Sequence, residues 1–129
     1  MTRPGSGAAG GLAGGLAALG AELVGGFDLV AAEIGLEDAV EGADAVVTGE
    51  GLLDGQSFAG KAVGGVVELA RDAGARTLIV VGEVAPDALP LPAGVDVVDL
   101  VERVGRPRAL DDVAGSVEEV VSDWLQAGR

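Results

Sequence analysis

The sequence predicts a three-layer α/β fold, a mostly parallel sheet flanked by helices. Three observations predict it. Short runs of Val, Leu and Ile without polar alternation read as strands buried on both faces, the habit of parallel sheets. Those runs alternate with longer stretches whose apolar residues recur at helical period. Gly, Pro and Asp turn signals bound the runs, as at Gly49, Gly74, Gly82 and Gly94. The chain has 129 residues, which suits one domain, and 49% hydrophobic residues, enough for a packed core.

The elements follow in order. Residues 4–11 form a Gly-rich loop, and a helix is predicted over 8–19. Asp28 is read as the cap of a short helix ending at Ile34, with Gly35 as its stop. A second short helix is expected over 36–40, ending near Gly42. Ala45-Val46-Val47-Thr48 reads as a buried strand that opens into a loop of turn-formers over 49–60. A helix over 61–73 presents Val63, Val66, Val67, Leu69, Ala70 and Ala73 on one face, and Gly74 ends it. The β-branched run 77–81 is a strand, 82–94 with its three prolines a loop, and 95–101 a third strand. Pro107 precedes a last helix over 109–127, with a stripe of Leu110, Val113, Ala114, Val117, Val120, Val121, Trp124 and Leu125.

Composition excludes several kinds of chemistry. The chain has no Cys, no His and no Tyr. A disulfide framework, a thiolate metal site, a cysteine nucleophile and a His-based triad are all impossible. Acids number 21 and bases 8, a net charge of -13, which argues against a nucleic-acid partner. Residues 4–21 are uncharged, but they are mostly Gly and Ala, with Leu12, Leu16 and Leu19 as the only large side chains. Such a segment transfers poorly into a bilayer, and no membrane partner is expected. It is read as a small-residue helix packed closely on protein.

Two segments carry candidate chemistry. Of the 23 glycines, many crowd the first half of the chain. Gly5, Gly7 and Gly10 match G-x-G-x-x-G, but no strand fits in front of Gly5, so the dinucleotide fingerprint fails. The segment remains open to two readings, an anion cradle leading into a helix or a means of tight packing. Gly55 to Lys61 spells G-x-x-x-x-G-K, yet Ala62 stands where a P-loop needs Ser or Thr, and the predicted strand ends several residues early. Lys61 is nonetheless the only Lys, placed at a loop-to-helix junction where a phosphate is favoured. Glu50 and Asp54 flank the end of a parallel strand, where they could hold Mg²⁺ or take a proton; a turn residue and an N-cap are the plainer alternatives. Glu83 lies at the same sheet edge as a third candidate. Arg103, Arg106 and Arg108 read as solvated loop charges rather than an anion patch, and Asp87, Asp96 and Asp99 carry no signal beyond solubility.

The strings Pro4-Gly5-Ser6-Gly7-Ala8-Ala9-Gly10-Gly11-Leu12, Gly20-Ala21-Glu22-Leu23, Gly42 through Gly51, and Asp54-x-Gln56-Ser57-x-x-Gly60-Lys61 resemble the bacterial two-domain glycerate kinases. The resemblance runs from Pro4 to the last helix and concerns the C-terminal portion of those enzymes. It implies a partial flavodoxin- or Rossmann-like domain over 1–129, with the family's N-terminal part absent. It also implies a cytoplasmic enzyme that uses ATP and Mg²⁺ to phosphorylate a hydroxyl of glycerate, in a cleft lined by the matched strings. Lys61, Asp54 and Glu50 would then be catalytic, with Glu50 and Asp54 as Mg²⁺ ligands. Gly5, Ser6, Gly7, Gly10, Gly49, Gly51, Gln56, Ser57 and Gly60 would contact phosphate or substrate. The chain departs from the family's usual residues at Leu52, Ala59 and Val63, where Arg, His and Pro are common. Loss of that Arg removes a bidentate anion contact. The alternatives are a non-catalytic binding or assembly module that keeps the fold, and, less well supported, a small flavodoxin-like or receiver-like domain. Expected partners are glycerate and either a second copy of the chain or the missing N-terminal half.

Overall fold

The computed structural model describes residues 3–128. Three strands form one parallel sheet in the order β1-β2-β3: β1 (Ala45–Leu53), β2 (Arg76–Val84) and β3 (Val95–Asp99). Helix α4 (Ala62–Asp72) connects β1 to β2. Its residues Val63 and Val67 pack with Leu53, Ile79 and Val81 in one core cluster. The opposite face carries α5 (Leu100–Val104), α6 (Arg106–Asp111) and α7 (Val113–Ala127). There Leu78 and Val80 pack with Leu100, Ala109 and Val120. Successive β2 side chains thus feed two separate cores, which is why that strand is apolar without alternation.

The open three-layer α/β arrangement agrees with the sequence reading, but several boundaries move. Strand β1 continues through Gly49, Glu50 and Gly51 to Leu53, where a loop was expected. The two glycines read locally as breakers, yet the ladder with β2 holds that backbone extended, with Glu50 opposite Val81. A Cβ at Gly49 would run into the Val80 carbonyl, and one at Gly82 into the Gly51 carbonyl, so close strand approach accounts for both. Strand β3 stops at Asp99 rather than Val101. The Asp99 carboxylate accepts from the Glu102 N–H at 2.9 Å and caps α5. The single helix expected over 109–127 is two helices. Asp112 breaks it and caps α7 by accepting from the Gly115 N–H at 3.1 Å. Arg106 and Pro107 therefore open α6, where proline's missing N–H costs nothing.

The N-terminal segment departs most from expectation. In place of a helix over 8–19 there is a 3₁₀ turn, Ala8–Gly11, and then α1 (Leu12–Ala18). Ala9, Gly10 and Gly11 all have positive φ, which separates the two pieces. Helix α1 does not pack closely on the sheet: Leu12, Leu16 and Leu19 are exposed, Leu19 to 87%. Helix α2 (Gly26–Ile34) starts one residue after Gly25, its N-cap, and places Asp28 in the first turn rather than at the cap. Gly35 ends it in a left-handed conformation, as expected, and α3 (Leu36–Val40) follows. Among the described residues no helix is long and apolar enough to cross a membrane.

Polar contacts fasten α7 to the N-terminal end of the sheet. The Trp124 indole N–H donates to the Asp96 carboxylate at 2.6 Å, and the Arg76 guanidinium lies 4.2 Å from the Trp124 ring centroid. Leu78→Ala should destabilise the fold by about 2–5 kcal/mol, because a fully buried side chain leaves a cavity. Leu110→Ala, at a residue 65% exposed, should shift stability by less than about 1 kcal/mol. Urea unfolding followed by circular dichroism measures both.

Candidate active site

The C-terminal end of β1 leads directly into the charged groups of interest. After Leu53, the chain turns at Asp54 and reaches α4 at Ala62. The turn is held by Asp54 and Ser57. The Asp54 carboxylate accepts from the Gln56 N–H at 2.8 Å and from the Ser57 hydroxyl at 3.2 Å. The Asp54 N–H donates to the Ser57 hydroxyl at 3.0 Å, and the Ser57 N–H to the Asp54 carbonyl at 3.0 Å. Ser57 is fully buried. Its carbonyl in turn accepts from the Gly64 N–H at 3.2 Å, which ties the turn to the first turn of α4. Gly64 is required there, because a Cβ would lie 2.8 Å from the Phe58 Cα.

Lys61 is the N-cap residue of α4. Its ammonium lies 3.7 Å from the Asp54 carboxylate, with the two side chains 47% and 33% exposed. Lys61 therefore sits at the positive end of an eleven-residue helix, beside amides that lack intrahelical acceptors. The Asp54 carboxyl is held below its ordinary value of 3.8, chiefly by the Gln56 N–H; burial opposes this, and Lys61 and Ser57 reinforce it. The strand–loop–helix context removes one of the two objections to a phosphate loop, since β1 ends at Leu53, two residues before Gly55. The other stands, because Ala62 has no hydroxyl for a metal.

Glu50 lies within β1, three residues before its end. One of its carboxylate oxygens is buried and has no hydrogen-bond partner among the described residues. Glu50, Gly49 and Gly51 line a cavity of 540 Å³ with Val80, Gly82, Leu110 and Val113. A buried, unpartnered carboxylate oxygen is costly unless something else satisfies it.

The other candidates are placed elsewhere. Glu83 accepts from Arg106 at 2.7 Å, so its charge is already matched. Arg103 pairs with Asp123 at 3.1 Å and Arg108 with Glu119 at 2.7 Å; all three arginines lie on helices rather than in a loop. Asp99, read as a solubility charge, accepts from the Val84 N–H at 2.9 Å and joins the end of β2 to α5. Asp96, read likewise, holds Trp124. Those partners are 15 and 28 residues away in sequence, so no local pattern signals them. The opening Gly5, Ser6, Gly7 and Gly10 pack on their own helix: the Ser6 carbonyl accepts from the Gly14 N–H at 3.0 Å and the Gly7 carbonyl from the Gly11 N–H at 3.1 Å. No hydrogen bond or ion pair among the described residues joins them to the Asp54–Lys61 pair, whereas Glu50, Gly51, Gln56, Ser57 and Gly60 lie on the same strand and turn as that pair. Among the described residues no three acidic side chains form a metal-sized cluster.

Comparison with known proteins gives a consistent result. The family model described as "Glycerate kinase family" matches residues 1–126. An uncharacterized Synechocystis protein is 43% identical over 99 residues, 76% of this chain and 27% of that protein. An uncharacterized Mycobacterium bovis protein is 35% identical over 122 residues, 92% of this chain and 32% of that protein. The Escherichia coli protein named glycerate 2-kinase is 45% identical over 69 residues, 53% of this chain and 18% of that protein. The chain thus spans about a third or less of the length of these relatives.

The Asp54 geometry has a measurable consequence. A depressed folded-state pKa means that the Asp54 contacts contribute fully above the ordinary carboxylate value. Their contribution falls away as pH drops through the depressed one. Carboxyl titration by NMR should give Asp54 a midpoint below 3.8. In Lys61→Met the midpoint should rise but stay below 3.8, because the Gln56 N–H remains. A midpoint at or above 3.8 in the unaltered chain would contradict the turn geometry.

Proposed function

The chain belongs to the glycerate kinase family, and on that premise we propose that its Asp54–Lys61 turn serves ATP-dependent transfer of a phosphoryl group to a hydroxyl of glycerate, giving a phosphoglycerate, in the cytoplasm. The observation that carries this reading is the Lys61 ammonium at the N-terminus of α4, held 3.7 Å from Asp54 directly after a parallel strand. Open α/β sheets bind ligands outside the carboxyl ends of their strands, and a helix N-terminus with a cation favours phosphate. Phosphoryl transfer depends on positioning and charge neutralisation, so a chain without His or Cys can perform it.

In this reading the glycerate hydroxyl oxygen forms a bond to the γ-phosphorus as the bond from that phosphorus to the ADP oxygen breaks. Lys61 and the first amides of α4 offset the charge on the phosphate oxygens. The hydroxyl proton passes to a carboxylate. Asp54 is a poor acceptor, since its contacts favour the ionised form. Glu50, whose buried oxygen has no hydrogen-bond partner among the described residues, is the carboxylate left free to take it. Asp54 then acts as the residue that orients Lys61, while Gly49, Gly51, Gln56, Ser57 and Gly60 shape the phosphate-facing turn. Gly5, Ser6, Gly7 and Gly10 would meet substrate from another wall of the cleft. Mg²⁺ suits the donor set, because it accepts one or two carboxylates and takes its remaining ligands from phosphates and water. Glu50 and Asp54 would hold it. When bound, it would neutralise charge on the transferred phosphate.

A second reading, a binding or assembly module without turnover, draws on two observations. Leu52, half exposed, stands where the family commonly has Arg, and Arg103, Arg106 and Arg108 are each paired with a carboxylate. Kinetics of the family-length enzyme carrying this portion separate the two. Lys61→Ala should reduce glycerate-dependent ADP formation by about 10²–10³-fold. Glu50→Gln should do so by about 10²–10⁴-fold, mainly in kcat. Unchanged rates in both variants, or no glycerate-dependent ADP formation by the unaltered protein, would favour the module.

A further inference from the structure

We infer that Arg106, steadied by Glu83 at the end of β2, takes the carboxylate of the substrate, and that Glu83 tunes this contact toward a single negative charge. The inference deepens the kinase reading and rests on it. Glu83 lies opposite Leu52 in the β1–β2 ladder. The next pair along, Leu53 and Val84, packs in the core beneath α4. Side chains alternate along a strand, so Leu52 and Glu83 face the other side of the sheet, where α6 begins. There the Arg106 guanidinium donates to the Glu83 carboxylate at 2.7 Å. Leu110, one turn after Arg106 on α6, lines the 540 Å³ cavity with Glu50, Gly51 and Gly82. Glu83 directly follows Gly82 in β2. The Arg106–Glu83 pair therefore stands at the rim of the cavity lined by the carboxylate assigned to proton transfer. That volume falls within the range of small-molecule sites, about 300–1,000 Å³.

Charge singles out this arginine. The chain has 21 acids and 8 bases, and a hydroxy acid entering beside Glu50 needs a cation for its own carboxylate. Lys61 faces Asp54, Arg71 pairs with Asp72, and Arg76 stacks on Trp124. Arg103 and Arg108 pair with Asp123 and Glu119 of α7. Arg106 is the one whose partner adjoins the cavity. Its Nη2 donates to Glu83, and the rest of the planar donor fork has no partner among the described residues. The side chain is 58% exposed, so that fork is open to a ligand. Together Arg106 and Glu83 carry no net charge. Such a pair suits a monoanion held by side-by-side hydrogen bonds better than a polyphosphate, which Lys61 and the amides of α4 would take.

The test titrates the chain with glycerate, followed by NMR at the Arg106 Nε–H and the Glu83 amide, with glycerol and inorganic phosphate as comparison probes. Glycerate should shift both signals saturably, and glycerol, which lacks the carboxylate, should leave the Arg106 signal in place. Arg106→Ala and Arg106→Lys should each weaken glycerate binding at least about tenfold with an unchanged thermal midpoint, because the lysine keeps the charge but not the fork. Glu83→Gln should tighten phosphate relative to glycerate at least about threefold, a change of selectivity that a purely structural Glu83 would not produce. Glycerate binding that ignores Arg106, or phosphate displacing glycerate from the unaltered pair, would overturn the proposal. Unchanged selectivity in Glu83→Gln would overturn the part given to Glu83. Arg106-dependent glycerate binding without glycerate-dependent ADP formation would leave this contact standing and sink the kinase reading. ADP formation whose KM for glycerate is unmoved by Arg106→Ala would do the reverse.

Discussion

The parallel pairing of β1 with β2 is the contact on which the rest of the structure depends. It runs in register from Ala45 opposite Arg76 to Leu53 opposite Val84. It keeps the Gly49-Glu50-Gly51 backbone extended, and it permits the close approach at Gly49 and Gly82 that a Cβ would forbid. It also fixes where β1 ends, and so where Asp54 turns and where α4 begins. A shift of the pairing would move Glu50 relative to Val81 and carry Lys61 away from the end of the sheet. The candidate chemistry is thus a consequence of one ladder and one turn.

The turn itself is built economically. Asp54 uses its carboxylate for the Gln56 amide, the Ser57 hydroxyl and Lys61, and Ser57 returns its own carbonyl to α4. The same contacts that hold the loop also hold the carboxyl ionised and steady the only ammonium side chain. Glu50 contrasts with it a few residues earlier. Asp54 is satisfied and partly exposed, whereas Glu50 keeps one buried oxygen in reserve. Two carboxylates of one strand and turn thereby acquire different capacities from their surroundings alone.

Much of the fold was legible in the sequence, and the exceptions share a cause. Strand β2 and helix α4 announce themselves through β-branched content and helical period, and Gly35 and Gly74 stop helices as their conformational freedom suggests. Glycines in β1 read as breakers because the partner strand that keeps them extended is 31 residues away. Asp112 interrupts the apolar stripe expected over 109–127 by capping α7. Leu12, Leu16 and Leu19 look like a buried face and are exposed instead. At the site, Lys61, Asp54 and Glu50 were visible as residue types near a strand end. The 3.7 Å pairing, the buried Ser57 and the orphaned Glu50 oxygen were not, since each depends on how the turn folds.

A crystal structure of the family-length enzyme carrying this portion, with a non-hydrolysable ATP analogue, Mg²⁺ and glycerate, tests the roles of Lys61 and Glu50. A phosphate oxygen should lie within hydrogen-bond distance of the Lys61 ammonium, and the Glu50 carboxylate should face the glycerate hydroxyl or the metal. Phosphates bound elsewhere, with Lys61 still paired to Asp54 alone, would contradict it.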